Sequence, residues 1–157
     1  MSKNYSPDAV SDDDHLMRLA PYSKQLRDAE TNEFLGILDI AFQIRPEDKG
    51  GLSCTWVEHY GEKSHATLSV AARAYRDSLP SKKIGNTAYF AMGTAGQVRS
   101  KSAEYGKQIR IVHAPDGPNT GHVELHQFSD EDRRLLDALA REVFTEHIAV
   151  TELDMRP

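Results

Sequence analysis

The residues best suited to chemistry gather in KQIRIVHAPDGPNTGHVELHQF, residues 107–128, which holds three of the seven histidines. Ile109, Ile111 and His113 alternate with Arg110 and Val112, and His122, Glu124 and His126 alternate with Val123 and Leu125. A period of two predicts a pair of half-buried strands around the turn-forming PDGPNTG. On such a strand His122, Glu124 and His126 share one side, with the two histidines roughly 13 Å apart. That is too far for both to bind one ion. Glu124 with either histidine, joined by His113 from the neighbouring strand, would offer imidazole and carboxylate to zinc or another divalent metal. The plainer reading of the same residues is a polar outer face on a half-exposed sheet. The spacing is not a recognised metal signature, and no other cofactor is implied.

Charge adds a second set of candidates. Net charge is −5, but residues 1–72 carry seven basic and twelve acidic side chains, residues 73–110 eight and two, and residues 116–157 four and ten. The central basic block could meet nucleic acid or an acidic protein, or be neutralised by the chain's own acidic flanks. Arg99, Lys101, Lys107 and Arg110 are its interaction candidates, with Trp56, Glu58 and His113 on neighbouring predicted strands. Tyr89 and Phe90 lie in an apolar run and suit a core better than base stacking. GTAG, residues 93–96, offers either backbone amides for phosphate or a plain turn, and lacks the P-loop lysine.

The single cysteine, Cys54, excludes an intramolecular disulfide and suits a reducing compartment. A nucleophilic role would need a base, and a strand puts positions 54 and 59 on opposite faces, so a buried thiol is expected. No Ser/His/Asp, Cys/His or paired-carboxylate set can be assembled from spacing alone.

These residues need elements to position them. One domain fits 157 residues, and the apolar fraction of 39% suits a core with exposed loops. Residues 1–14 are expected to form a flexible acidic tail, residues 15–150 the domain, and residues 151–157 a frayed end. The aspartates at 12–14 suggest the start of a short helix that Pro21 stops. Residues 34–45 are expected to be extended, with a turn in PEDKGG and a strand over 52–60. Residues 65–79 have helical spacing behind a possible N-cap, Ser64. A strand is expected over 87–92, then the glycine turn and an exposed basic segment over 97–108. SDEDRRLLDALAREVFTEH, residues 129–147, is predicted as one helix with Leu135, Leu136, Leu139, Val143 and Phe144 on its apolar face. The fold class is therefore α+β, with a mostly antiparallel sheet of four to five strands and the last helix across one face. Neither a membrane-length apolar run nor a secretory signal is present, which predicts a cytoplasmic protein and no membrane partner.

Two resemblances follow from short motifs. HATL, residues 65–68, resembles the H-x-T-φ signature of two-histidine phosphoesterases, which implies His65 as one half of an acid–base pair. HVEL, residues 122–125, is the available second copy, with His122 as the other half, but Glu124 stands where that signature has threonine and would repel phosphate. More of the chain resembles a loosely defined group of small uncharacterised bacterial proteins with H-L-x-R, A-F-x-x-R, L-S-V-x-W-x-E and V-x-H-x-P motifs. The matching residues are His15, Leu16 and Arg18; Ala41, Phe42 and Arg45; Leu52, Ser53, Trp56 and Glu58; and His113, Pro115 and His122. Cys54 replaces the usual valine. That resemblance implies a bacterial or phage source and carries no established activity.

The expected function is a non-enzymatic accessory or neutralising protein, with another protein as partner, in a bacterial conflict or defence system. A small phosphoesterase-like or metal-dependent hydrolase using His65, His122 and Glu124 is the enzyme alternative, and nucleic-acid binding through residues 73–110 is a third. Homo-oligomerisation is left open.

Overall fold

The computed structural model describes residues 9–44 and 51–157. Arg45 and most of the expected PEDKGG turn lie outside the described residues. The main sheet has six strands, one or two more than expected: β1 (His15–Ala20), β4 (Leu52–Trp56), β5 (Tyr89–Thr94), β6 (Arg110–His113), β7 (His122–His126) and β8 (Glu146–Ala149). Their order is β6-β7-β4-β1-β5-β8 and every pairing is antiparallel. A separate hairpin joins β2 (Gln25–Arg27) to β3 (Phe34–Ile37), and Phe34 stacks on Tyr89 of the main sheet with ring centroids 3.7 Å apart.

The first correction concerns β1, where a short helix was expected. The apolar residues of HLMRLA do not alternate, because the strand is central and both its faces are covered. Leu16 and Ala20 enter one core, with Phe42, Leu136, Leu139, Val143 and Phe144. Met17 enters the other, beneath Leu68, Ala71 and Ala72 of α1 (His65–Ser78). A strand buried on both sides loses the clean alternation on which strand recognition depends. Arg18, on the Leu16 face, donates from Nε to Ala41 O and from Nη1 to Ser53 O, both at 2.6 Å. It thereby joins β1 to β4 and to the 3₁₀ turn Asp39–Phe42, which takes over from the extended structure expected across 34–45.

Helix α1 forms where its spacing places it, and Ser64 caps it by accepting from Thr67 N. GTAG is neither loop nor free turn. Gly93 and Thr94 finish β5, and Thr94 forms a capping box with Gln97 at the start of α2 (Ala95–Glu104). The amides of Ala95 and Gly96 donate to Asp14 O and Asp12 O, so the backbone donors that a phosphate would need are taken by the chain itself.

The last predicted helix is shorter than expected. Helix α3 (Arg133–Ala138) passes into a π-helical turn, Leu139–Val143, closed by Phe144 N donating to Leu139 O at 2.8 Å. The predicted apolar face is right, with Leu135, Leu136, Leu139, Val143 and Phe144 all buried. The wider turn brings Phe144 within 4.8 Å of the Phe42 ring and releases 146–149 to pair with β5 as edge strand β8. At the two ends, Val10 is buried, and the expected frayed terminus docks on α1: Leu153 is buried, Ser69 Oγ accepts from Asp154 N, and Arg73 donates to Asp154 O.

The π-helical turn lies directly on β5. A Cβ at Gly93 would sit 2.5 Å from Val143 O and 2.9 Å from Val143 Cγ1, so only glycine permits this approach. We expect Gly93→Ala to destabilise the protein by about 1–3 kcal/mol through overpacking, read as a lower urea midpoint with an unchanged m-value.

Candidate functional site

The end of the sheet where β4, β6 and β7 meet the start of β1 carries the densest set of functional side chains. A buried polar lock builds it. Asn119 is fully buried in the β6–β7 connection; its Nδ2 donates to Thr55 Oγ1 at 3.0 Å and its Oδ1 accepts from Tyr60 OH at 2.6 Å. Tyr60 OH in turn accepts from Gly121 N at 3.0 Å. Each buried polar atom in this set is paired, which makes the network rigid, since a missing member would leave the others desolvated and unsatisfied. Gly121 is needed because a Cβ there would come within 2.7 Å of the Tyr60 ring and 3.1 Å of His59 Cδ2.

The lock places Thr120 between two histidines. His59, in the 3₁₀ turn Val57–Tyr60, meets Thr120 Oγ1 through Nε2 at 3.0 Å. His113, at the end of β6, meets Thr120 O through Nε2 at 2.8 Å. A carbonyl only accepts, so His113 Nε2 carries the proton and Nδ1 of the neutral ring has the lone pair. The rings of His59 and His113 lie 5.3 Å apart, and Trp56 completes a triangle at 5.4 Å from His59 and 5.2 Å from His113. Trp56 Nε1 donates to Asp14 Oδ2 at 3.0 Å. Desolvation of its ring, and then the neighbouring His113, hold His59 below the ordinary histidine range, although the residue as a whole is exposed.

Beside this triangle Glu58 grips His15 twice, accepting from His15 N with Oε1 and pairing Oε2 with Nδ1, both at 2.6 Å. A carboxylate on Nδ1 leaves Nε2 as the proton acceptor, the orientation used by a general base.

The candidate metal set suggested by the strand spacing does not assemble. In the β6–β7 register His113 lies opposite Val123 and Val112 opposite Glu124, so His113 projects from the face opposite His122, Glu124 and His126. His126 Nε2 pairs with Glu124 Oε1 at 2.9 Å, and the pair packs against Gly51. His122 is buried with both nitrogens occupied, by Ala114 O at 2.7 Å and Ser53 Oγ at 3.1 Å. Among the described residues no group of three or more His, Cys, Asp and Glu is placed to hold a metal ion. The phosphoesterase pairing of His65 with His122 also fails: HATL opens a helix rather than a strand, and His65 Nε2 bonds Glu152 O at 2.6 Å.

The basic block is largely answered from within. Arg99 pairs with Asp12 at 2.5 Å, Lys101 with Glu142 at 3.1 Å and Glu104 at 3.3 Å, and Lys107 with Asp132 at 3.3 Å. Arg110 stands exposed on edge strand β6. Of the sequence-derived interaction set, Trp56, Glu58 and His113 come together at the sheet end, whereas the three paired cations serve the fold. Asp14, His59, Tyr60, Asn119 and Thr120 were missed as site residues. Their only local signal was the polar turn composition of residues 114–121 and the adjacency of His59 to Trp56 and Glu58.

A set of contacts joins this end of the sheet to the core: His15 with Glu58, Arg18 with Ala41 and Ser53, Trp56 with His113, and His122 with Ser53. Comparison with protein-family models, curated proteins and solved structures finds no match to this chain.

Cys54 lies in the core, where desolvation pushes its thiol up to about 11 against the weaker opposing pull of Arg18. A thiol held protonated and out of solvent is a poor nucleophile. The folded protein is expected to resist an aromatic disulfide reagent at mildly alkaline pH and to release one equivalent of chromophore when unfolded in guanidinium.

Proposed function

We propose that this protein is a non-enzymatic accessory subunit of a bacterial system, working in the cytosol by holding a protein partner on the Trp56–His59–His113 face. The observation that carries the reading is the triangle of rings itself. Its polar handles are engaged internally, by Asp14 and Thr120, while His59 is exposed and Trp56 and His113 remain partly exposed. Pre-locked aromatic surface loses little entropy on association, and tryptophan is enriched among residues that dominate binding energy. Neutralisation of Arg99, Lys101 and Lys107 weakens the nucleic-acid alternative, because a phosphate backbone would have to compete with carboxylates already in contact. A conflict or defence setting is the biological context proposed for such a subunit.

A second reading rests on one specific observation, the two contacts by which Glu58 orients His15. That pair would serve a hydrolase as general base, with His15 Nε2 accepting the proton of an attacking water.

The two readings separate in one experiment. Tagged full-length protein is recovered from a bacterial host with its bound proteins, and the captured partner is titrated against variants with matched thermal unfolding. His59→Ala and Trp56→Ala should each weaken the partner by about 2 kcal/mol, roughly thirtyfold, while Leu35→Ala on the exposed β2–β3 hairpin should not. A chain that elutes alone, or capture indifferent to both ring variants, would sink the accessory reading. Turnover abolished by His15→Ala would establish the hydrolase instead.

A further inference from the structure

We infer that the cleft between α2 and edge strand β6 is a binding site for a small phosphate monoester of nucleotide size, gripped by Arg110 and Lys107. The cleft shares no lining residue with the ring triangle.

The first support is positive charge in a concave place. The cleft has a volume of about 430 Å³, within the range of small-ligand sites. Arg99, Lys107 and Arg110 line it and no carboxylate does. The chain's own anions answer only part of this charge. Asp12 holds Arg99, and Asp132 lies 3.3 Å from the Lys107 ammonium, which has further donors to give. The side chain of Arg110 is exposed and has no partner among the described residues. A polyanion would need the whole basic block to be free, whereas a single phosphate group needs only Arg110 and the spare donors of Lys107.

The second support is the set of neutral donors beside these cations. Gln108 and Gln127 also line the cleft, and neither side chain has a partner among the described residues. Gln127 follows His126, the register partner of Arg110, and is held at φ 76°. A glutamine in the left-handed region is uncommon, and strained positions of this kind gather at ligand sites.

The third support is a fixed frame. Ser102 Oγ accepts from Ile109 N at 3.3 Å and donates to Arg99 O at 2.9 Å, which ties the approach to β6 onto α2. Carbonyls at a helix C-terminus repel anions, but Ser102 O accepts from Lys107 N at 2.9 Å and Ala103 O from Gly106 N at 3.1 Å. The walls are therefore set before a ligand arrives.

The test is titration of the full chain with adenosine 5′-monophosphate, inorganic phosphate and adenosine, read by calorimetry and by amide chemical shifts. The monophosphate should bind once per chain, inorganic phosphate more weakly and adenosine not measurably, with shifts centred on residues 107–111 and 127. Arg110→Ala should weaken the monophosphate at least about tenfold, the effect of losing a charged hydrogen-bond donor. Lys83→Ala, which removes an exposed cation outside the cleft, should leave binding unchanged. Arg110 is exposed, so its variant should fold, and matched unfolding curves check this. Glycine accepts the backbone of position 127, so Gln127→Gly should keep its unfolding midpoint and still bind about threefold more weakly. The inference would be overturned by a lack of saturable uptake of both phosphate probes, by adenosine binding as tightly as its monophosphate, or by undiminished binding in Arg110→Ala. The titration uses the isolated chain, so its failure leaves the partner reading standing.

Discussion

The structure depends on the burial of β1 from both sides. A central antiparallel strand with apolar residues on each face requires a cover on each face, and the chain supplies α1 on one and α2, α3 and the π-helical turn on the other. Arg18 is the polar exception within this strand. Its guanidinium reaches two backbone oxygens, on β4 and on the Asp39–Phe42 turn, that would otherwise compete for partners in a crowded core. A charged side chain thus joins three segments distant in sequence, and Arg18, Ala41 and Ser53 meet for that reason.

The same constraint shapes the C-terminal region. An unbroken helix over 129–147 would leave β5 without an outer neighbour and would carry Phe144 around the helix axis away from Phe42. One widened turn resolves both problems, since it keeps Leu139 and Val143 in the core and frees four residues to extend the sheet. Gly93 is the matching concession on the strand beneath.

At the other end of the sheet, polar rather than apolar packing sets the geometry. Asn119, Tyr60 and Thr55 form a closed set of hydrogen bonds in a low-dielectric setting, where each bond depends on the next. Thr120 inherits its position from that set, and the two histidines inherit theirs from Thr120. The ring triangle is therefore rigid although one of its corners is exposed. Electrostatics works at longer range in the same direction: the acidic flanks fold back on the basic block, so charge segregation along the chain becomes charge pairing in space.

The sequence by itself determined what local patterns can carry. The α+β class, the β6–β7 ribbon, α1 with its Ser64 cap, the buried face of the last helix and the inert setting of Cys54 were all legible, because each follows from periodicity, capping or composition within a short window. Tertiary structure decided the rest. β1 read as helix because a strand covered on both faces loses its alternation; the first half of β8, Glu146 and His147, read as the end of the last helix because it continues that helical pattern until the sheet claims it. His113 parted from His122, Glu124 and His126 because the ribbon's register, and not proximity along the chain, assigns faces. Asp14, His59 and Thr120 stayed invisible for a simpler reason: their partners are 42, 61 and 61 residues away, and a contact between distant positions has no local period to announce it.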